Sequence, residues 1–470
     1  MRRLKLELAT GAAITALLIA QAVTTPLWAD TMEAALVRAY QNNPQLNSQR
    51  ASVRVTDENV PQALSGYRPK VSVAATAGTQ YLGSLTNFPS APGSFQRLGQ
   101  YGYNAPRTAT ATVTQTLYNG EQTANRTRAA ESQVSAAREG LRVLEQTVLL
   151  SGATIYMDYL RDSAIVEVNR SNVRVLEQTL KQTQDRFNVG EVTRTDVAQS
   201  EAQLAAGRTQ LLTAESNLVT TRANFRRIIG NDPVNLEAAS PVDRFLPTTL
   251  PRAVETGLME NPNVTAAMYG IDVSHLQVKI AEGALFPTVT LQGQVQQAYE
   301  SNLETYNAFS ASAIAQIAVP IYQGGAEYSL IRQSKETLAQ QRLALEQVRD
   351  ATRAQVAQAW GQLQAAKSQV LSAQSQVTAS ETALNGVREE ARVGQRTTLD
   401  VLNAQQALVN ARVALVTAQH DRVVASYATL NAVGRLEPQV LKLGTTIYDP
   451  MVHYQQVRDS WIGIRTPDGQ

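Results

Sequence analysis

The sequence predicts a mainly α chain with a small β part, built from two copies of one unit. Three observations support this prediction: short motifs recur at two constant spacings, apolar residues repeat every seven positions over long stretches, and four segments alternate apolar with uncharged polar residues. Aromatic residues make up only 6% of the 470 residues, which favours long helices over a bulky globular core. Length alone would instead suggest two or three globular domains.

The internal duplication follows from motifs that recur in the same order. The dipeptide Asn-Pro at 43–44 recurs at 261–262, and Val-Gly at 189–190 recurs at 393–394 with a slightly shorter spacing. Two constant spacings indicate two copies that differ by one length change, which the motifs place between residues 82 and 117. The predicted divisions are a signal peptide at 1–29, a first copy at 30–233, a linker at 234–248, a second copy at 249–438 and a tail at 439–470.

The composition excludes several classes of function. The absence of cysteine excludes disulfides, cysteine-ligated metals, thiol nucleophiles and a lipidated N-terminal cysteine. The balance of 42 basic and 40 acidic residues argues against a nucleic-acid partner. Three scattered histidines, at 275, 420 and 453, make a histidine metal site improbable and are expected to be surface or equatorial residues. No motif pairs a nucleophile with a base, so we expect neither an enzyme nor a cofactor or metal site.

The N-terminus has the pattern of a secretory signal peptide. Basic residues at positions 2, 3 and 5 precede a short apolar stretch, and small residues lead to a predicted cleavage after Ala29. Ala22 marks a second possible cleavage site, and an uncleaved anchor helix is the alternative. Cleavage after Ala29 removes three basic residues and one acidic residue, so the mature chain has no net charge.

Each copy has the same predicted order of elements. Heptad repeats such as Val134, Leu141 and Val148 indicate coiled-coil packing. The length of each long helix equals the summed length of its two shorter partners. We therefore expect the short helices to stack end to end beside the long one. The strands then lie at one end of the rod and the Val-Gly turns at the other. The predicted helices are opening helices at 31–64 and 249–283, long helices at 121–188 and 325–392, and return helices at 195–229 and 399–433.

Four segments read as strands with one apolar face. In 107–118, Ala109, Ala111 and Val113 face one way and threonines face the other. This pattern is the weak signature of an outer-membrane barrel, with a soluble four-stranded sheet as the alternative. Four strands cannot close a barrel, so a membrane location requires oligomerisation, and three copies would supply twelve strands. The other predicted strands begin at Val71, Val289 and Ala313, and the segments 82–106 and about 299–309 are expected to be connections.

The chain resembles the TolC family of outer-membrane channel proteins over residues 31–440. The resemblance rests on the duplication, the Asn-Pro and Tyr-x-Gly motifs, and the segments FNVGEVTRTDV and ARVGQRTTLDVLNAQ at the two turns. It implies a homotrimer in the outer membrane of a Gram-negative cell: a 12-stranded β-barrel with four strands per chain, continued by a long α-helical coiled-coil tunnel across the periplasm. The implied function is a passive exit duct for an efflux pump or type I secretion system. Its implied partners are a periplasmic adaptor, an inner-membrane transporter and outer-membrane lipid.

The resemblance also assigns roles to residues at the turns. Asp400 matches an aspartate that narrows the closed periplasmic gate, whereas Asn403 stands where the family has a second aspartate, which should weaken the negative ring. Arg396 is expected to bond near Thr195 and Asp196 of the first copy and hold the gate shut. The implied adaptor-contacting tips are Val189, Gly190, Glu191, Val393, Gly394, Gln395 and Arg396.

Plainer interpretations exist for the same residues. Glycine just after a helix is usually a C-cap, and aspartate near a helix start is favoured by the helix dipole. A secreted coiled-coil structural or filament protein is the alternative function, which membrane fractionation would distinguish. The sequence does not specify the cargo.

Overall fold

The computed structural model describes residues 30–303, 305–467 and 469. The predicted signal peptide and its cleavage after Ala29 lie outside these residues. The predicted fold class, mainly helical with a small sheet, is confirmed. The helices are α1 Met32–Asn42, α2 Pro44–Asp57, α3 Asn59–Leu64, α4 Gln122–Asn188, α5 Arg194–Ile229, α6 Leu250–Glu260, α7 Pro262–Gly283, α8 Ala326–Arg392, α9 Thr398–Ala432 and α10 Pro450–Val457.

Two long helices, α4 and α8, form the frame of the molecule. Each has 67 residues, which corresponds to about 100 Å at the rise of an α-helix. The predicted arrangement of their partners is confirmed for α4: Val60 of α3 packs against Val134 near its start, and Leu204 of α5 packs against Val173 and Leu176 further along. Among the described residues, no helix combines the length and apolar character needed to cross a membrane.

The predicted heptads are confirmed by burial. The side chains that repeat every seven positions on the long helices are buried, while their neighbours on the outer faces are exposed. Phe187, which ends one predicted repeat, is an exception because it lies at the tip of α4 and is exposed. The buried heptad residues include Val134, Leu141, Val148, Val166, Val173, Leu338, Leu345, Val377 and Leu384.

The opening helices were predicted to be continuous, and this prediction is wrong. Both are broken at their Asn-Pro motif, where Asn43 and Asn261 have extended backbone (φ −66 and −67, ψ 119 and 122). The residue before a proline resists helical geometry, because the proline ring clashes with it. Each asparagine then caps the next helix with its side chain: Asn43 accepts from the N–H of Gln45 at 2.9 Å and Asn261 from that of Asn263 at 2.9 Å.

A four-stranded antiparallel sheet joins the two copies. Its strands are, in hydrogen-bonded order, β1 Lys70–Ala77, β4 Arg107–Asn119, β5 Thr288–Tyr299 and β6 Asn307–Ala318. Val113 on β4 lies opposite Val71 on β1 and Gly293 on β5. This register gathers the apolar residues on one face, as predicted, and the threonines and glutamines on the other. Both outer edges of this sheet, on β1 and β6, are unpaired within the described chain. The two other strands are β2 Gln80–Ala91 and β3 Ser94–Asn104.

The segment predicted as a connection at 82–106 is instead a β-hairpin. Strands β2 and β3 pair with each other in a separate two-stranded sheet. The missed signal is Pro92-Gly93, a turn dipeptide, and Gly93 has a φ of +86°. Asn104 at the base of the hairpin donates to the carbonyl of Glu300 at 2.6 Å, which ties it to the loop after β5. The hairpin accounts for the longer connection of the first copy.

The C-terminal tail packs along the outside of the two copies. From the sequence, it could either wrap the tube or be partly disordered. Leu441 and Leu443 join the largest hydrophobic core, and α10 packs against α2. The described part of the tail is therefore an integral part of the fold.

Two of the three histidines are buried, which corrects the prediction that they are incidental. His453 of α10 lies 3.0 Å from the carboxylate of Asp57 on α2, and His420 of α9 lies 2.9 Å from that of Asp158 on α4. A buried histidine is tolerated because a carboxylate partner satisfies its ring nitrogens. Sequence spacing could not show these contacts, since the partners are hundreds of positions apart along the chain.

Candidate functional site

The turn between α4 and α5 is a Schellman motif. Gly190 has a φ of +80°, its N–H donates to the carbonyl of Phe187 at 3.0 Å, and the N–H of Glu191 donates to that of Arg186 at 2.9 Å. These two bonds satisfy carbonyls that the helix end leaves free, and the left-handed residue between them is usually glycine. Gly190 is therefore required by the backbone of the turn.

The turn between α8 and α9 repeats this geometry. Gly394 has a φ of +79°, its N–H donates to the carbonyl of Ala391 at 3.2 Å, and that of Gln395 donates to Glu390 at 2.9 Å. In both turns the C-cap residue, Val189 or Val393, is largely exposed. An exposed valine at the tip of each hairpin gives this end of the molecule an apolar surface that its own chain does not cover.

Asp196 and Asp400 occupy matching capping boxes at the starts of α5 and α9. One carboxylate oxygen of Asp400 accepts from the backbone N–H of Thr397 at 3.0 Å and from its hydroxyl at 2.9 Å. Asp196 makes the same two bonds to Thr193, at 2.9 and 2.6 Å. These bonds stabilise the ionised form and lower the pKa of both aspartates. Both side chains are therefore structural caps as well as fixed negative charges.

Arg396 does not make the predicted bond to Thr195 or Asp196 within this chain. Its Nε donates instead to Glu390 at 2.9 Å, across its own turn. The reason is local: Glu390 lies in the last turn of α8, six residues before Arg396, and the Schellman turn folds the chain back over it. Thr195 is exposed and takes no part in this pair.

The turn of the first copy also has an ion pair, but its basic and acidic residues occur in the opposite order along the chain. Arg186 on the last turn of α4 donates to Glu191 at 3.1 Å, so the basic residue precedes the glycine here and follows it in the second copy. Because both pairs are about half exposed, each is expected to contribute little to stability. Their effect is instead to place charged side chains at the surface of the two tips.

The two hairpins are joined just behind these turns. Leu402, two residues after Asp400, packs in one cluster with Leu176 and Leu204 of the first copy. The side chain of Gln203 donates to that of Gln406 at 3.0 Å, which links α5 to α9. Asn403 lies between these contacts but is exposed. The structure thus places both capping aspartates at the same end of the molecule, opposite the sheet.

A polar cluster around the buried His420, well inside α9, was not predicted from the sequence. Both ring nitrogens of His420 face carboxylates, Asp158 and Asp421, each at 2.9 Å. Arg161 completes the cluster with a bond of 2.8 Å to Asp158. Burial lowers the pKa of His420, but the hydrogen bonds to the two aspartates outweigh it, so the pKa is raised overall. This cluster links the long helix of one copy to the return helix of the other.

Comparison with known proteins assigns the family. A family model described as outer membrane efflux protein matches residues 35–231 and 254–435, most of both copies. The chain belongs to the outer membrane efflux protein family.

The chain is similar to two relatives over nearly their full length. It is 39% identical over 442 residues to the outer membrane efflux protein BepC of Brucella suis, covering 94% of this chain and 93% of that one. It is 26% identical to the outer membrane protein TolC of Vibrio cholerae, covering 89% and 93% of the two chains. The outer membrane channel CmeC of Campylobacter jejuni has the same fold, with a TM-score of 0.74 at 16% identity over 91% of this chain and 89% of that one.

Family membership establishes the role of this outer membrane efflux protein. It resides in the outer membrane with its helices in the periplasm, and it is an exit duct of the kind used by efflux pumps and type I secretion. The alternative of a secreted filament protein is therefore set aside. The family does not by itself assign a role to any residue of the two turns.

Proposed function

We propose that three copies of the chain close into a 12-stranded barrel and a helical tunnel. The observation that carries this proposal is the four-stranded sheet with an apolar outer face and two open edges. An unpaired edge exposes N–H and C=O groups that lipid cannot satisfy. Pairing β6 of one subunit with β1 of the next leaves this sheet without an open edge.

The duplication specifies the register of that pairing. Within the chain, Val113 on β4 lies opposite Gly293 on β5. By the spacing of the Val-Gly motifs, the counterpart of Val113 in the second copy is Ile317 on β6. By the spacing of the Asn-Pro motifs, the counterpart of Gly293 in the first copy is Ala75 on β1. The same pairing between subunits therefore sets Ile317 of one subunit opposite Ala75 of its neighbour.

Engineered cysteines test this register in a protein that has none of its own. Ala75→Cys combined with Ile317→Cys should yield a covalent trimer on oxidation, because directly opposed strand residues are within the span of a disulfide. Ala75→Cys with Ala313→Cys is the matched control, since a shift of four positions moves the pair about 13 Å apart. A covalent trimer from the control pair, or none from the first, would contradict the proposed seam.

We also propose that the two turns form the periplasmic gate and the surface that meets the adaptor. The fixed charge of Asp400, repeated around a threefold axis, would favour cations and repel anions at the entrance. Asn403 supplies no second charge, so cation binding at this ring should be weak. Thr195, Asp196 and Arg396 would then act at contacts between neighbouring hairpins, since Arg396 pairs with Glu390 within its own chain.

The tips would contact the adaptor through their exposed residues. The exposed valines and the reversed ion pairs give the two hairpins of each subunit different surfaces on the same backbone. A periplasmic adaptor could therefore distinguish the two tips while packing against both. The proposed contact residues are Val189, Gly190, Glu191, Val393, Gly394, Gln395 and Arg396.

A charge-removing pair of variants tests the gate. Asp400→Asn keeps an oxygen that can accept the two bonds from Thr397, so the cap is preserved while the charge is lost. We expect a higher conductance or weaker block by divalent cations in planar bilayers. Asp196→Asn makes the same change in the matching capping box and should have the smaller effect. Equal conductance and equal cation block in wild type and Asp400→Asn would argue against a gate at this residue.

We infer that the cargo is that of an efflux pump, because the 39% identical relative is named as an efflux protein. The energy would come from an inner-membrane transporter, since nothing in the described residues resembles a nucleotide-binding loop. Deletion of the gene should sensitise cells to exported small molecules. Loss of a secreted protein with unchanged drug sensitivity would instead indicate type I secretion.

A further inference from the structure

The segment that follows α10 is fixed beside the base of the barrel. The guanidinium of Arg68 donates to the carbonyl of Ser460 at 2.6 Å and lies 4.6 Å from the centroid of the Trp461 ring. Arg68 precedes the first residue of β1 by two positions. Trp461 therefore lies level with the point where the helices give way to the sheet.

Helix α10 directs the segment towards this level. His453 pairs with Asp57 near the end of α2, and Arg458 then bonds to Glu131 of α4 at 3.3 Å. Glu131 lies nine residues after the start of α4, about 14 Å from the strand end of that helix. The chain therefore runs along the first copy towards the sheet, and it reaches the level of the sheet at Trp461.

The residues at this level of the molecule are apolar and exposed to solvent. Trp461, Ile462 and Ile464 are 67%, 94% and 102% exposed. Three large apolar side chains within four residues form a contiguous exposed patch of the kind that marks an interaction surface. Arg465 follows them directly, so the patch ends in a positive charge.

The level of this patch is marked by a ring of aromatic residues. Each of the four junctions between helix and sheet carries one exposed aromatic side chain: Tyr67, Tyr118, Phe286 and Tyr322. Aromatic girdles occur at the boundary between the apolar band of a barrel and water. The exposed patch of the tail lies beside this girdle, because Trp461 stacks on Arg68, which directly follows Tyr67.

We propose that residues 461–464 insert into the periplasm-facing leaflet of the outer membrane and form a lipid-contacting collar around the barrel base. The occupant of the patch is phospholipid: the indole and the isoleucines enter the interface, while Arg68 and Arg465 face the phosphates. The proposal goes beyond the export function. It depends on the outer-membrane location and on neither the gate nor the cargo.

Tryptophan fluorescence tests the collar directly. Cleavage at the predicted site after Ala29 removes Trp28, which leaves Trp360 and Trp461 in the mature protein. Trp360 lies half-way along α8, about 50 Å from the sheet, and serves as an internal control. The purified protein is reconstituted into phosphatidylcholine vesicles, with or without bromine near the headgroup end of the acyl chains. Wild type, Trp461→Phe and Trp360→Phe are compared.

We expect bromine to reduce the emission of Trp461 about twofold and to leave that of Trp360 unchanged. The difference between wild type and Trp461→Phe isolates Trp461 even where Trp360→Phe folds poorly. A blue-shifted Trp461 that bromine does not quench would place the ring against protein, such as a neighbouring subunit, and would overturn the proposal. Emission typical of water, or equal quenching of both tryptophans, would also overturn it. These results are independent of the cysteine and conductance tests, which report on the barrel seam and the gate.

Discussion

The glycines after β4 and β6 offer a sharp test of how the subunits meet. Gly120 has a φ of +64° and its backbone touches that of Gly283: an added Cβ would lie 2.2 Å from the Gly283 carbonyl oxygen. Its counterpart Gly324 has a φ of +74°, but within one chain an added Cβ would meet nothing. The two positions are equivalent in the duplication, so the missing neighbour of Gly324 should come from the next subunit. The counterpart of Gly283 in the first copy is Ser65.

The expected costs follow from these contacts. Alanine in the left-handed region costs about 1–2 kcal/mol wherever it occurs. At Gly120 the clash with a backbone oxygen adds about 1–3 kcal/mol, because no side-chain rotation can relieve it. Gly394→Ala provides a strain-only control, since Gly394 has a φ of +79° and open space around it. In a trimer, Gly324→Ala should cost more than Gly394→Ala, because a neighbouring subunit then lies beside Gly324.

The assay is the temperature at which the detergent-solubilised trimer dissociates on a gel. We expect both Gly120→Ala and Gly324→Ala to lower this temperature, and Gly394→Ala to lower it clearly less. If Gly324→Ala behaves like Gly394→Ala, no neighbouring backbone approaches Gly324, and the seam deduced from the duplication is wrong.

Three further predictions concern single sites. His420→Gln should flatten the pH dependence of thermal unfolding above pH 6.5, because the pKa of His420 in the folded protein is raised above that value. The charged form therefore stabilises the fold at lower pH, and this contribution is lost as the pH rises through the folded pKa. Phe225→Ala should destabilise the fold by about 3–5 kcal/mol in denaturant unfolding, because the fully buried ring packs against Tyr156 and Tyr159. Thr397→Ala should weaken the start of α9 by about 1 kcal/mol, seen as faster amide exchange in its first turn.

Much of this architecture could be predicted because it depends on periodic patterns. The seven-residue repeats located α4 and α8 to within a residue, since a helix of that length must bury one stripe of side chains. The alternation in 107–118 identified β4 and its outward face for a similar reason. The glycines at 190 and 394 marked the turns, because few other residues adopt the left-handed backbone there.

Other features were missed because the sequence pattern does not show the path that the backbone takes through a turn. The hairpin of β2 and β3 carries a turn dipeptide but weak alternation, so it was predicted to be a connection. The predicted contact of Arg396 with Thr195 and Asp196 came from family resemblance, and within one chain Arg396 pairs instead with Glu390, which the path of the turn brings close. From the sequence, Asp400 could be a helix cap or a gate residue, and only the bonds to Thr397 show that its carboxylate caps α9.

The amino-acid sequence by itself determined the duplication, the lengths of the long and return helices, and the faces of the four strands of the main sheet. Each of these is encoded in local composition or in a repeat that one segment can carry alone. Only the tertiary structure decided where His420 and His453 find their aspartates, and that Trp461 reaches the base of the barrel. Such contacts join side chains that the sequence holds far apart, and their energy exists only once packing has brought them together.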